Sequence, residues 1–370
     1  MTEDRTDDVI EDVIDAQDDT CELRRAPAHR ERRNPLTLPV VAVLAAAIVA
    51  AAGCGSDADD GTAGAGTDAA PTIVATTTIW ADVVGNVACD GLAEVVAVVP
   101  PGGDPHGFEP SLRDRETMEN AVLVVANGLG LEEGLADTID SVEASGVTVV
   151  RVADAVDTLR AGSNTHADES ADDGAATTDT DHDTDTENTD DHSHEGDDPH
   201  IWFDPTRVAT AIPAIADALV SAGLDPTTVE GCVESYTSEL VALDDDVEAA
   251  LDVVPPERRL LVTNHDSLRY FADRYDFEIL GSVIPSSSSL AGTNPRDLEE
   301  LARMIEQTGV PAIFAETQYS AADAEALAER VGDVSVVTLQ TSTLGEPGSS
   351  TDTYVTWLTT TAEQIAEALS

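Results

Sequence analysis

Asp-Pro-His occurs twice, as Asp104-Pro105-His106 and as Asp198-Pro199-His200. Proline fixes its own backbone angle and holds the preceding residue extended, so each tripeptide carries its imidazole on a stiff turn. A third histidine closes the apolar run Val262-Thr263-Asn264-His265. Of the 8 histidines, His29 precedes the apolar N-terminal run, and His166, His182, His192 and His194 share one low-complexity stretch, which leaves these three. Imidazole is the commonest metal ligand at neutral pH, and zinc takes nitrogen, sulfur and carboxylate oxygen tetrahedrally. One metal site built from His106, His200 and His265 is therefore the chemistry to test.

Acids flank all three. Asp104, Asp198 and Asp266 could orient the rings by accepting from the nitrogen that does not face the metal, or could cap turns through their own backbone. Capping is the expected role of Asp104 and Asp198, because Asx-Pro sequences form turns. Glu316 ends the apolar run at 312–315 and would be costly to bury without a partner, either a metal or an arginine such as Arg269. Trp202, Phe203, Tyr270 and Phe271 read as packing residues.

These residues must be positioned by a fold. From residue 72 onward, short β-branched runs alternate with amphipathic stretches, the pattern of parallel α/β architecture. Strands are predicted at 72–78, 93–100, 121–127 and 147–152, and again at 259–263, 277–284, 312–315 and 334–339. Helices are predicted at 131–144, 205–223, 295–308, 321–332 and 353–369. A long helix from Asp225-Pro226 towards Pro255-Pro256 would serve as a rigid connector. The expectation is two Rossmann-like lobes, 72–224 and 255–370, joined by the helix at 225–254, with the site in the cleft between them. Parallel sheets bind ligands beyond the carboxyl ends of their strands, which is where His106, His265, Glu316 and Ser342 fall.

The chain has 370 residues, enough for two lobes with real cores, and 73 acids against 18 bases, all arginine. Nothing here could neutralise a row of phosphates, so nucleic acid is excluded as a partner. The negative field favours cations.

Residues 1–53 combine a basic cluster, an uncharged apolar run at 35–53 and small residues before Cys54, which describes an export signal. Ala51-Ala52-Gly53-Cys54 resembles a bacterial lipobox, in which the cysteine is lipidated; an uncleaved anchor is the alternative. Residues 54–71 read as a flexible tether. Outside the cell, Cys89 and Cys232 could pair.

Gly103-Asp104-Pro105-His106-Gly107-Phe108-Glu109-Pro110, Asp198-Pro199-His200-Ile201-Trp202-Phe203-Asp204-Pro205, Asn264-His265-Asp266 and Ala315-Glu316-Thr317-Gln318 together resemble the cluster A-I (cluster 9) solute-binding lipoproteins of zinc and manganese ABC importers. The resemblance spans 72–369. It implies an extracytoplasmic, monomeric protein on the outer face of the cell membrane that delivers metal to an ABC permease. It also implies that His106, His200 and His265 are ligands, with a fourth ligand, usually a carboxylate, in the loop before the last helix. That position falls on Ser342, a departure that leaves water, Glu316 or the neighbouring Asp266 to complete the shell.

Three imidazoles suit Zn2+ better than Mn2+, which prefers carboxylate and carbonyl oxygen. A manganese- or iron-specific member of the same family is the nearest alternative. Residues 163–199 carry fourteen acids and four histidines. Such a composition is expected to be disordered. By resemblance it would be an auxiliary loop gathering zinc weakly through His166, His182, His192 and His194. A zinc hydrolase is the rival of another class, but the chain has no nucleophile elbow and no His-Glu-x-x-His, so no enzyme is expected. A surface adhesin, acting in cell adhesion, is the remaining alternative.

Overall fold

The computed structural model describes residues 70–89, 91–162 and 196–370, which fall in one compact unit, Ala65–Ser370. Strands β1 (Thr72–Ala75), β2 (Glu94–Ala97), β3 (Leu123–Ala126) and β4 (Val149–Arg151) form a parallel sheet in the order β2-β1-β3-β4. Strands β5 (Leu260–His265), β6 (Glu278–Ile284), β7 (Ala312–Glu316) and β8 (Ser335–Leu339) form a second parallel sheet in the matching order β6-β5-β7-β8. Around the first sheet lie α1 (Thr78–Val87), α2 (Leu112–Glu119) and α3 (Ala136–Ala144). Helices α4 (Pro205–Ser221) and α5 (Pro226–Leu251) follow. With the second sheet come α6 (Arg269–Tyr275), α7 (Pro295–Thr308), α8 (Ala322–Val331) and α9 (Tyr354–Leu369). These are the two parallel α/β lobes expected.

Both sheets reverse their strand order between the two central strands, so a crevice opens beyond β1 and β3 in one lobe and beyond β5 and β7 in the other. Register then places chemistry. Thr263 pairs with Phe314 across β5 and β7. Because side chains on one face repeat every second residue, His265 and Glu316 come to stand side by side at the strand ends.

Strand ends differ from the sequence expectation where a side chain intervenes. The first strand stops at Ala75 because the Thr77 hydroxyl accepts from the backbone of Trp80 and caps α1. The fifth strand runs on to His265. The helix expected from 131 splits into a single turn at Glu133–Leu135 and α3.

Helix α5, 26 residues and about 39 Å long, buries Val229, Cys232, Tyr236, Leu240, Leu243, Val247 and Leu251 at helical spacing. It packs on α4, α9 and α1. One continuous core joins Ile73 and Trp80 of the first lobe, Leu243 of α5, and Phe314 and Trp357 of the second. Cys89 and Cys232 are joined as a disulfide, tying the segment after α1 to α5 with Cα atoms 5.9 Å apart.

The stretch assigned to the acidic loop ends earlier than 199. Ala161 donates to Gly196 at 2.9 Å and Asp198 to Leu159 at 2.7 Å, and Asp198 is fully buried. The four loop histidines, Cys54 and the apolar run at 35–53 lie outside the described residues. Among the described residues no helix is long and apolar enough to cross a membrane.

The bridge closes a loop of sequence separation 143. Replacing Cys232 by Ser is expected to cost about 2–5 kcal/mol of stability, seen as a lower thermal midpoint. An unchanged midpoint, with two titratable thiols in the unreduced, unfolded wild type, would contradict the bridge.

Candidate metal centre

His106, His200 and His265 are each at most 1% exposed, and each offers a ligand nitrogen within 4.8 Å of the other two. Nε2 of His200 lies 3.4 Å from Nε2 of His106 and 3.2 Å from Nε2 of His265. Tetrahedral zinc with Zn–N of about 2.0–2.1 Å sets its ligand nitrogens about 3.3 Å apart, so the spacing fits one ion.

Each imidazole arrives by its own route. In both Asp-Pro-His tripeptides the aspartate Oδ1 accepts from the backbone of the histidine two residues on, at 3.0 Å from His106 and 2.9 Å from His200. The turn predicted from Asx-Pro is thus formed twice. In the second copy the same oxygen also meets Nδ1 of His200 at 2.7 Å, so Asp198 both makes the turn and orients the ring. Tyr270, expected as core, does more than fill space: its hydroxyl donates to the carbonyl of Asp198 at 2.7 Å and accepts from the backbone of Leu159 at 3.1 Å.

His265 comes from the end of β5, and its Nδ1 is hydrogen-bonded to Oε1 of Glu316 at the end of β7. Oε2 of Glu316 accepts from the Thr341 hydroxyl and from Gln318 Nε2, at 3.0 Å in the latter case. Oε1 is therefore occupied in orienting His265 and Oε2 by Thr341 and Gln318, and Glu316 is not among the residues whose ligand atoms cluster. Arg269, considered as the partner of Glu316, pairs instead with Asp266, Nε to Oδ2 at 2.5 Å. The other oxygen of Asp266 is buried without a hydrogen-bond partner. The Ser342 hydroxyl accepts from Gln318 Nε2 at 2.8 Å. Among the described residues no fourth histidine, cysteine or acid joins the cluster.

Electrostatics favour a cation. Burial, reinforced by the neighbouring His265 and His106, pushes the His200 imidazole well below its ordinary range, so it is neutral and meets Asp198 as a hydrogen-bond partner, not as an imidazolium in an ion pair. Burial raises the Asp198 carboxyl to about 7 and the Asp266 carboxyl to about 6. At the second sheet burial acts against both charges, but the mutual attraction of His265 and Glu316 outweighs it, raising the imidazole and lowering the carboxyl. With Nδ1 of His200 and of His265 held by carboxyl groups, the Nε2 atoms of the two rings are left to meet at the centre, 3.2 Å apart.

Three residues outside the expected set shape the first lobe's share. Glu132, 4% exposed, accepts from the Thr76 hydroxyl at 2.7 Å and from the backbone of Asn127 and Gly128 at 2.6 Å and 3.2 Å. It thereby holds a loop in which Gly128, Leu129 and Gly130 all have positive φ. Asn127 accepts from Trp80 Nε1 at 3.0 Å and donates to the carbonyl of Pro199 at 2.8 Å, locking the turn that carries His200. Tyr319 donates to Asp104 Oδ1 at 2.7 Å. An acid following Gly128-Leu129-Gly130-Leu131 is the one sequence signal that could have drawn attention to this loop.

The model of the family described as zinc-uptake complex component A periplasmic matches residues 73–368. The zinc-binding protein TroA of Treponema pallidum is 30% identical, over 84% of this chain and 92% of that protein. The manganese-binding lipoprotein MntA of Halalkalibacterium halodurans is 28% identical, over 86% and 94% respectively. The solved structure of Treponema pallidum TroA superposes with a TM-score of 0.67 at 28% identity, covering 81% of this chain and 99% of that one. A cadmium-bound periplasmic protein from Candidatus Liberibacter asiaticus has the same fold, with a TM-score of 0.63 at 21% identity over 81% of this chain and 100% of that one.

His265 holds its proton to a pH above the ordinary 6.5. Any divalent metal bound at Nε2 must displace that proton, so affinity is expected to fall as pH is lowered, with the fall beginning above the usual imidazole range. Competition titrations at a series of pH values check this; a flat profile would contradict it.

Proposed function

Because the chain belongs to the family of periplasmic zinc-uptake complex components A, we propose that it captures Zn2+ outside the cytoplasm with His106, His200 and His265 and delivers it to an ABC permease. It is a metal-binding, solute-binding component of such an importer, not an enzyme. The observation that carries the zinc reading is the convergence of three buried imidazole nitrogens with no carboxylate among them. Imidazole suits zinc, whereas manganese is better served by carboxylate and carbonyl oxygen. Relatives named for either metal stand at similar identity, so it is the donor set that supports zinc.

Three protein ligands leave the fourth tetrahedral position to water, which favours release over permanent retention. We further propose that Cys54 is the lipidated first residue of the mature protein, that residues 54–71 tether it as a monomer, and that the histidines between 163 and 195 collect zinc weakly near the cleft.

Zinc titration of the wild type against His106→Ala, His200→Ala and His265→Ala tests the reading, with bound metal identified by elemental analysis. Each variant is expected to lose at least about 100-fold in affinity, since a ligand is removed outright. Manganese displacing zinc at equal concentration would overturn the choice of metal. Deleting residues 163–195 is expected to leave the tight site intact, and its loss would move the loop into the site.

A further inference from the structure

The three imidazoles are not held alike. His200 and His265 each direct Nδ1 at a buried carboxylate, Asp198 and Glu316, exposed by 0% and 2% at the side chain. Nδ1 of His106 is buried without a hydrogen-bond partner. By repetition of the tripeptide, Asp104 should do for His106 what Asp198 does for His200, yet it does not. Its Oδ1 accepts from the backbone of His106 and from the Tyr319 hydroxyl, and its Oδ2 accepts from Ser289 at 2.9 Å. Tyr319 and Ser289 both belong to the second lobe, so Asp104 ties the lobes together instead of orienting its ring.

The carboxylate beside the bare nitrogen is that of Glu133, whose Oε1 stands 3.6 Å from Nδ1 of His106. That approach is built into the backbone. Gly134 donates to the carbonyl of His106 at 3.0 Å, and a Cβ on Gly134 would come within 2.4 Å of the carbonyl oxygen of Phe108. Only glycine lets the single turn at Glu133–Leu135 press so closely on the loop that carries His106. Residue 132, immediately before, is the buried glutamate already fixed by Thr76, Asn127 and Gly128. The same Oε1 of Glu133 accepts from the Ser288 hydroxyl of the second lobe at 2.5 Å.

We propose that Glu133 is the positioning residue of His106, accepting its Nδ1 proton when a divalent cation engages Nε2. It rests on the three-histidine reading above and deepens it. Metal-bound histidines regularly give their other ring nitrogen to an acceptor, which fixes the tautomer and raises ligand basicity. Unlike Asp198 and Glu316, Glu133 is 38% exposed at its side chain and is shared with Ser288 across the cleft. His106 is therefore the ligand whose Nδ1 acceptor is itself held by a contact between the lobes.

Zinc alone is the probe, added to metal-free wild type, Glu133→Ala, Glu133→Gln and His106→Ala. Glu133→Ala is expected to weaken zinc binding about 10–100-fold, mainly through faster dissociation. Glu133→Gln keeps an acceptor oxygen and is expected to recover most of that loss. In zinc-loaded protein, a slowly exchanging Nδ1 proton of His106 is expected by NMR in the wild type and in Glu133→Gln, but not in Glu133→Ala. A role in stability alone would lower the thermal midpoint of the metal-free protein and leave that resonance in place, which would overturn the assignment. So would Glu133→Ala binding zinc within about twofold of wild type while His106→Ala fails to bind, in which case the three-histidine reading survives. If His106→Ala binds as tightly as wild type, both fall together.

Discussion

The structure depends on one unfavourable arrangement that a cation relieves. Three imidazole nitrogens converge at 3.2 Å and 3.4 Å in a place with almost no solvent. Two of the rings direct Nδ1 at buried acids, and His265, whose proton is held by Glu316, crowds its Nε2 against that of His200. Packing imidazoles so closely out of water is costly. In the proposed function a divalent ion takes the place of the proton between them, and the carboxylates behind two of the rings balance its charge.

The rest of the fold serves this convergence. In each parallel sheet the strand order switches between the two central strands, and the segments beyond them carry the proposed ligands: His106 and His200 from the first lobe, His265 from the second. The lobes meet around the site through small polar contacts, among them Tyr319 and Ser289 on Asp104, Gly102 on the Thr343 hydroxyl at 2.9 Å, and Leu344 on the Thr78 hydroxyl at 2.7 Å. Contacts of this kind are individually weak. The continuous apolar core that runs through helix α5 is what holds the two lobes together. In the proposed function, release requires His265 on the second lobe to part from His106 and His200 on the first.

Much of this was legible in the sequence because its signals are local. The alternation of β-branched runs with amphipathic stretches marks every strand, and the Asp-Pro-His turns form as proline and aspartate dictate. The roles of the acids were legible only in part, because they depend on register between strands far apart in the chain. Glu316 reads as a spare ligand until β5 and β7 are placed side by side, where it becomes the brace of His265. Asp104 and Asp198 sit in identical tripeptides yet act differently, since the side chain of Asp104 accepts from second-lobe hydroxyls whereas Asp198 meets the Tyr270 hydroxyl only at its backbone carbonyl. Asn127 and Glu132 carry no motif at all; their function is to accept and donate backbone hydrogen bonds in a loop of unusual conformation, which composition cannot reveal.

X-ray absorption at the zinc edge of the loaded protein tests the central claim most directly. Three imidazole nitrogens at about 2.0 Å with one further light atom are expected. A shell dominated by carboxylate oxygen, or six-coordinate, would contradict a site made by His106, His200 and His265.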